Sequence, residues 1–201
     1  MFTGIVQELG KIVEIEKTSD LLRYTVEFPD ILLPDLKSGA SVSIDGICQT
    51  VTTINGNRVS FDAMEETLSK TTLDTLTIGQ KVNLERSAKI GDEIGGHPLS
   101  GHIYGKTKLQ KIEANIYTFA CPKDWSLYFF PKGFIALDGI SLTLVDTLPG
   151  FFTVHFIPET LKRTTLGFKK IGEFVNVEID SQTQIIVDTI HRRLKNDNNG
   201  T

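Results

Sequence analysis

Cysteine is nearly absent from this chain: two residues in 201, Cys48 and Cys121. Two thiols are too few for a disulfide framework, and free thiols in a reducing compartment are the reading that follows. Long apolar runs are missing too. No stretch approaches the roughly 20 residues that cross a bilayer as a helix. The start, Met1 to Val6, carries neither a basic stretch nor a long apolar one, so no secretion signal is expected. Together these absences predict a cytoplasmic protein without a membrane partner. Neither sign of charge dominates: 21 Lys and Arg stand against 25 Asp and Glu, a net charge of −4. A nucleic-acid partner is therefore not expected, because phosphate backbones select basic surfaces. Cofactor signatures are lacking as well: no GxGxxG, GxxxxGK[ST], HExxH or CxxC occurs. His97 and His102 stand five apart, which puts them on opposite faces of a strand, so a shared metal is not expected.

What the chain does have is itself, twice. Residues 41–85 and 134–178 align without a gap at a constant offset of 93, with 15 of 45 positions identical. Asp45-Gly46-Ile47 recurs as Asp138-Gly139-Ile140, Glu66-Thr67-Leu68 as Glu159-Thr160-Leu161, and Thr71-Thr72-Leu73 as Thr164-Thr165-Leu166. A period this long is a small domain with its own core, not a solenoid unit. The lead-in segments, read as the first strand of each copy, match at a different offset, 97, which sets Thr3-Gly4-Ile5-Val6 against Ser100-Gly101-His102-Ile103. A domain boundary near residue 97 follows, with domains over 1–97 and 98–184 and a helical tail over 185–201.

Within each copy the pattern is short β segments between turn residues. Strands are predicted at 22–28, 41–44, 47–54, 58–63 and 81–86, and again at 115–121, 134–137, 140–147, 151–157 and 174–179. Asn55-Gly56-Asn57 and Leu148-Pro149-Gly150 read as hairpin turns. Residues 67–70 and 160–163 read as single helical turns. Closed antiparallel barrels suit such short segments, since closure removes exposed edges. In the tail, Ile186, Ile190 and Leu194 with Val187 form one apolar stripe of a helix over 182–194. A lone helix of that length is marginal in water, so the stripe needs its own barrel or a partner to pack on. Residues 195–201 are polar and are expected to be disordered.

Both what repeats and what differs are informative. Repeated turn and core positions are what any such barrel needs, but repeated Thr and Glu at strand ends also suit recognition of a polar ring. Between the copies Ser41 faces Phe134, Cys48 faces Ser141, Ile5 faces His102 and Ser87 faces Asp180. Those mismatches would let two related pockets do different jobs.

Four segments taken together, in this order and spacing, resemble riboflavin synthases: Met1 to Val6, Asp45-Gly46-Ile47-Cys48-Gln49-Thr50-Val51, Gly95-Gly96-His97-Pro98-Leu99-Ser100-Gly101-His102, and Asp138-Gly139-Ile140-Ser141-Leu142-Thr143. The resemblance covers essentially the whole chain. It implies an all-β fold of two tandem homologous six-stranded antiparallel Greek-key barrels plus a C-terminal α-helix. It further implies conversion of two 6,7-dimethyl-8-ribityllumazine molecules to riboflavin and a ribitylamino-pyrimidinedione, without cofactor. A homotrimer held by the tail helix goes with it, and lumazine synthase is a candidate partner. Phe2, Ser41, Cys48, His102 and Asp180 become the catalytic candidates. One implied pocket, in the N-terminal barrel, comprises Gly4-Ile5-Val6, Cys48-Gln49-Thr50 and the run Asp62, Ala63, Met64, Glu65, Glu66, Thr67. The other, in the C-terminal barrel, comprises His102-Ile103-Tyr104, Lys132, Ser141-Leu142-Thr143 and the run Phe156, Ile157, Pro158, Glu159, Thr160. Gln49, Pro98 and Tyr104 depart from the family's usual residues. The alternative is a lumazine-carrying antenna protein, which binds one chromophore without converting it.

Overall fold

The computed structural model describes residues 1–19 and 21–198. Twelve strands close into two barrels, each with two short helical insertions between its last two strands, and an 18-residue helix follows. In the first barrel β1 (Glu8–Lys17), β2 (Leu21–Glu27), β3 (Ser41–Ile44), β4 (Ile47–Asn55), β5 (Arg58–Met64) and β6 (Lys81–Arg86) are ordered 1-2-5-4-3-6, with β6 pairing back onto β1. The second repeats this with β7 (Gly105–Glu113), β8 (Ile116–Ala120), β9 (Phe134–Leu137), β10 (Ile140–Leu148), β11 (Phe151–His155) and β12 (Phe174–Ile179). That order is the Greek key: β3, β4 and β5 form a meander while β2 and β6 return to its two sides.

Local chemistry explains the elements. Asp45-Gly46 and Asp138-Gly139 turn β3 into β4 and β9 into β10 with both residues at positive φ, 46° and 82° in one copy, 46° and 80° in the other. Those are the angles of a type I′ hairpin, whose twist matches the flanking strands. Register shifts fall at equivalent places, between Ile12 and Glu14 on β1 and between Leu109 and Lys111 on β7. Such bulges bend a strand enough to close a small barrel. Inside, inward residues of paired strands stack, one layer apart in the two copies: Tyr24 on Phe61 at 5.5 Å, and Phe119 on Phe152 at 5.5 Å.

Two strands were not foreseen. The first strand of each barrel is not the lead-in segment 3–6 or 100–103 but β1 and β7, which follow it. The bulge breaks the period-two alternation that would have marked them. The hairpin after them also absorbs the change of offset: Glu16 pairs with Arg23 and Glu113 with Ile116, which differ by 97 on one strand and 93 on the other. The predicted helical turns are α1 (Glu65–Lys70) and α2 (Pro158–Arg163).

The tail helix α3 runs over Ser181–Asn198. It starts four residues before the expected tail boundary because Asp180 caps it, its Oδ2 accepting from Thr183 N and Oγ1, both at 2.8 Å. The polar stretch expected to be disordered is thus helical through residue 198, and residues 199–201 lie outside those described. Val187 packs on the second barrel and Tyr128 donates to Asp188 Oδ1 at 2.6 Å, while Ile186, Ile190 and Leu194 remain exposed. Among the described residues no helix is long and apolar enough to cross a membrane.

Candidate active site

The barrels are joined by contacts that obey an approximate twofold relation. Asn83 Nδ2 donates to the Asp138 carbonyl at 2.8 Å and Asn176 Nδ2 to the Asp45 carbonyl at 2.9 Å. The lead-in segments pair with each other, Phe2 N to Leu99 O at 2.8 Å and Leu99 N to Phe2 O at 2.9 Å. Each is then held by a buried carboxylate of its own barrel. Glu85 accepts from Thr3 Oγ1 at 2.8 Å and Gly4 N at 3.1 Å; Glu178 accepts from Ser100 Oγ at 2.8 Å and Gly101 N at 3.0 Å. Burial lifts both acids above the ordinary carboxylate range, and these hydrogen bonds oppose the rise.

So held, the two segments cross over. Cys48 N donates to Gly101 O at 2.9 Å, and Ser141 N donates to Gly4 O at 2.8 Å. Ile103 packs against the first barrel's core and Val6 against the second's. This corrects the expected grouping: Gly101, His102 and Ile103 belong with Cys48 and Thr67, whereas Gly4, Ile5 and Val6 belong with Ser141. Sequence equivalence was right about which residues correspond, but it could not show that backbone pairing exchanges them. Gly101 permits the approach, since a Cβ there would lie 2.5 Å from Cys48 Cβ.

On the Cys48 side a cavity of about 380 Å³ opens, lined by Ile47, Cys48, Glu66, Thr67, Lys70, Thr71 and Gly101-His102-Ile103. It places one thiol, one imidazole and two threonine hydroxyls on a common space. Gln49 lies behind it, buried, its Nε2 donating to Cys48 O at 3.0 Å. Thr50 is exposed on the next position and pairs with Ser41 across β3 and β4. Phe2 is 1% exposed and packs with Leu99, Ala136 and Cys48, so it buttresses the thiol from behind.

Of the remaining candidates in the run 62–66, only Glu66 reaches that cavity. Asp62 is paired with Arg23 at 2.9 Å, Ala63 is core, and Met64 and Glu65 are exposed at the start of α1. Glu66 carries the i,i+4 pair to Lys70 at 2.7 Å, which holds its carboxyl below the ordinary range.

The Ser141 side is dressed differently. His97 Nδ1 lies 2.6 Å from Ser141 Oγ and its ring stacks on Phe134 at 4.9 Å. Burial pushes the His97 imidazole down and the charge of Asp180 opposes this, which gives Asp180 an electrostatic reach beyond its cap. The sequence signal for His97 was present, beside His102, but nothing tied it to Ser141. Leu142 is half-buried and Thr143 exposed; Phe156 is core, stacked edge-on with Tyr117 at 4.7 Å. Ile157 is exposed, Pro158 opens α2, Glu159 pairs with Arg163, and the Thr160 carbonyl accepts from Thr164 Oγ1 at 2.7 Å. Tyr104 is turned away, edge-on to Trp125 and Tyr128. Lys132 occupies a turn before β9 at φ 69°, its N donating to Leu144 O at 2.9 Å.

Comparison with known proteins converges on one family. Residues 3–87 and 100–180 each match the lumazine binding domain. The chain is 52% identical over 199 residues to riboflavin synthase of Escherichia coli (strain K12), covering 96% of this chain and 93% of that one. It is 51% identical over 202 residues to riboflavin synthase of Buchnera aphidicola subsp. Schizaphis graminum, covering 98% and 97%. The chain belongs to the riboflavin synthase family. A crystal structure of LumP complexed with 6,7-dimethyl-8-(1'-D-ribityl) lumazine superposes with a TM-score of 0.81 at 29% identity, covering 90% of this chain and all of that one. In this member of the riboflavin synthase family the two matched domains are the two barrels, and their lead-in segments are the parts exchanged.

Proposed function

We propose that this chain converts two molecules of 6,7-dimethyl-8-ribityllumazine into riboflavin and 5-amino-6-ribitylamino-pyrimidinedione by transfer of a four-carbon unit. One observation carries the reading: the crossing of residues 101–103 onto Cys48, which sets a thiol and an imidazole on one cavity of about 380 Å³ in a chain of this family. Two identical substrates call for two related pockets, and the repeat supplies them.

The chemistry asks for little more. The C7 methyl of the lumazine is acidic because its anion delocalises into the ring, and an imidazole near neutral pH is a competent base for it. His102 is assigned that role. The acceptor ring is electrophilic at C7, where the Cys48 thiol, or a hydroxide aided by Ser41, adds. Phe2 and Asp180 act through their neighbours: Phe2 fixes Cys48, and Asp180 anchors α3 while biasing His97. Holding two rings in register supplies about 7–11 kcal/mol of such a reaction's acceleration.

The exposed stripe of Ile186, Ile190 and Leu194 on α3 supports a homotrimer in which the Cys48 pocket of one subunit faces the Ser141 pocket of the next. The cytoplasm is the compartment that suits free Cys48 and Cys121.

Purified protein given the ribityllumazine alone tests the assignment. Riboflavin absorbance and fluorescence should grow with time and consume two lumazines for each riboflavin. Lumazine that stays bound and unconverted would instead make the chain a carrier of the LumP kind.

A further inference from the structure

A second, larger cavity of about 560 Å³ lies away from the Cys48 pocket, against the contact between the barrels. Its walls come from both repeats at equivalent positions. Thr72 meets Thr165 there, Thr75 meets Phe168, and Lys81 meets Phe174, each pair 93 apart. The two halves have diverged in chemistry: the first repeat offers a hydroxyl and an ammonium where the second offers ring faces. Gln80 and Glu173, another equivalent pair, add an amide and a carboxylate beside them.

Two features mark this space as built for a ligand. Uncompensated cations gather at the ring faces. Lys81 Nζ lies 4.9 Å from the Phe168 centroid and Lys108 Nζ 5.2 Å from that of Phe174. Lys106 and Lys169 are matched by Asp74 and Asp138, but among the described residues neither Lys81 nor Lys108 has a carboxylate within salt-bridge distance. Lys81 also stands opposite Lys11 across β1 and β6, a like-charge pair. Finally, Phe168 and Phe174 are both about half exposed, 56% and 44%, with their apolar faces held at the rim rather than in a core.

We infer that this inter-barrel cavity binds a nucleoside monophosphate. The phenylalanine faces take the flat base, Lys81 takes the phosphate, and Gln80 and Glu173 take sugar hydroxyls. A bare phosphate leaves the rings unused, and a nucleoside leaves the ammonium group uncompensated. The inference is independent of the reaction proposed above, since none of these residues lines the Cys48 pocket.

AMP is the probe, titrated by calorimetry into the full-length protein, with adenosine and inorganic phosphate as separate arms. Saturable AMP binding with a dissociation constant of about 0.1–1 mM is expected, with both half-ligands at least tenfold weaker. Lys81→Ala and Phe168→Ala alter exposed side chains, so they should fold normally and each weaken AMP about tenfold. Ribityllumazine turnover, measured on the same samples, should stay within about twofold of the parent. Absence of saturable binding, binding indifferent to both substitutions, or displacement of AMP by ribityllumazine would each overturn the assignment.

Discussion

Gly46 and Gly139 meet backbone to backbone where the two barrels join. A Cβ built on Gly46 would lie 2.5 Å from Gly139 N, and one on Gly139 would lie 2.8 Å from Gly46 N. Both residues also sit at positive φ, 82° and 80°. Either glycine replaced by alanine therefore forces main chain against main chain in a left-handed conformation, and no flexible side chain can give way.

Gly46→Ala is expected to cost about 2–4 kcal/mol, comparable to other strained or overpacked core changes. For a protein of this size that lowers the melting temperature by several degrees. Calorimetry on the variant reads it directly. A melting temperature unchanged from the parent would mean that the barrels separate at this contact without penalty.

Just behind those turns sit Asp45 and Asp138, both buried, with Lys169 3.4 Å from Asp138. Burial, then repulsion from Asp138, push Asp45 from its ordinary 3.8 up to about 8. The folded protein thus holds a proton that the unfolded chain has released between about pH 4 and about pH 8. Stability is highest at the acid end of that window and falls as pH rises through it, with a slope approaching about 1.4 kcal/mol per pH unit. Asp45→Asn keeps the Oδ1 acceptor that Asn83 N uses at 2.7 Å and removes the titration. Denaturant midpoints across the window should fall less steeply in the variant, leaving the slope from Asp138, Glu85 and Glu178, which burial also raises. An equally steep decline in the variant would move the effect elsewhere.

Much of this was legible in the residues. Asp-Gly followed by isoleucine at a fixed offset announces a type I′ turn, and the turn announces a barrel repeated twice. The alternation in β4 and β5 marks which side chains face inward. Two features were hidden for physical reasons. A bulge puts β1 and β7 out of phase with any simple period, so Glu8–Lys17 reads as charged rather than as a strand. The exchange of the lead-in segments rests on backbone hydrogen bonds from Cys48 N and Ser141 N, which no side-chain pattern encodes. The cap on α3 was readable in Asp180-Ser181-Gln182-Thr183, where an acid precedes a helical stripe by one turn.

Because Glu178 holds Ser100 and Gly101, it positions His102 without touching the Cys48 cavity. Glu178→Gln retains an acceptor for Ser100 but turns an amide NH₂ toward Gly101 N, so about 1–3 kcal/mol of local stabilisation is lost. Amide exchange at residues 100–103 should quicken while the barrel strands stay protected, and turnover should fall. If exchange quickened without any change in turnover, the crossing would be structural only.

His102→Ala tests the proton transfer itself. Removal of a positioned general base typically lowers turnover by about 10²–10⁴-fold. Substrate affinity should change far less, because Cys48, Thr67 and the walls of the cavity remain. Single-turnover rates measured with saturating ribityllumazine separate the two effects. An unchanged rate would take the base role from His102.

The last expectation concerns α3. Ile186, Ile190 and Leu194 are 59%, 53% and 55% exposed, on the side of the helix left free when Val187 docks on the barrel. Fully burying such side chains is favourable by about 1.5–3 kcal/mol each, whereas a charge placed among them must be desolvated. Ile190→Glu should therefore dissociate the proposed homotrimer, with sedimentation moving from a trimer mass toward the single-chain 22.3 kDa. The barrels make their own cores, so circular dichroism should be unaltered. If the working site is completed by the neighbouring subunit, activity should fall with dissociation and return as protein concentration rises. A variant that sediments as the parent does would remove α3 from the interface. Full activity in a single chain would show that the two pockets need no neighbour.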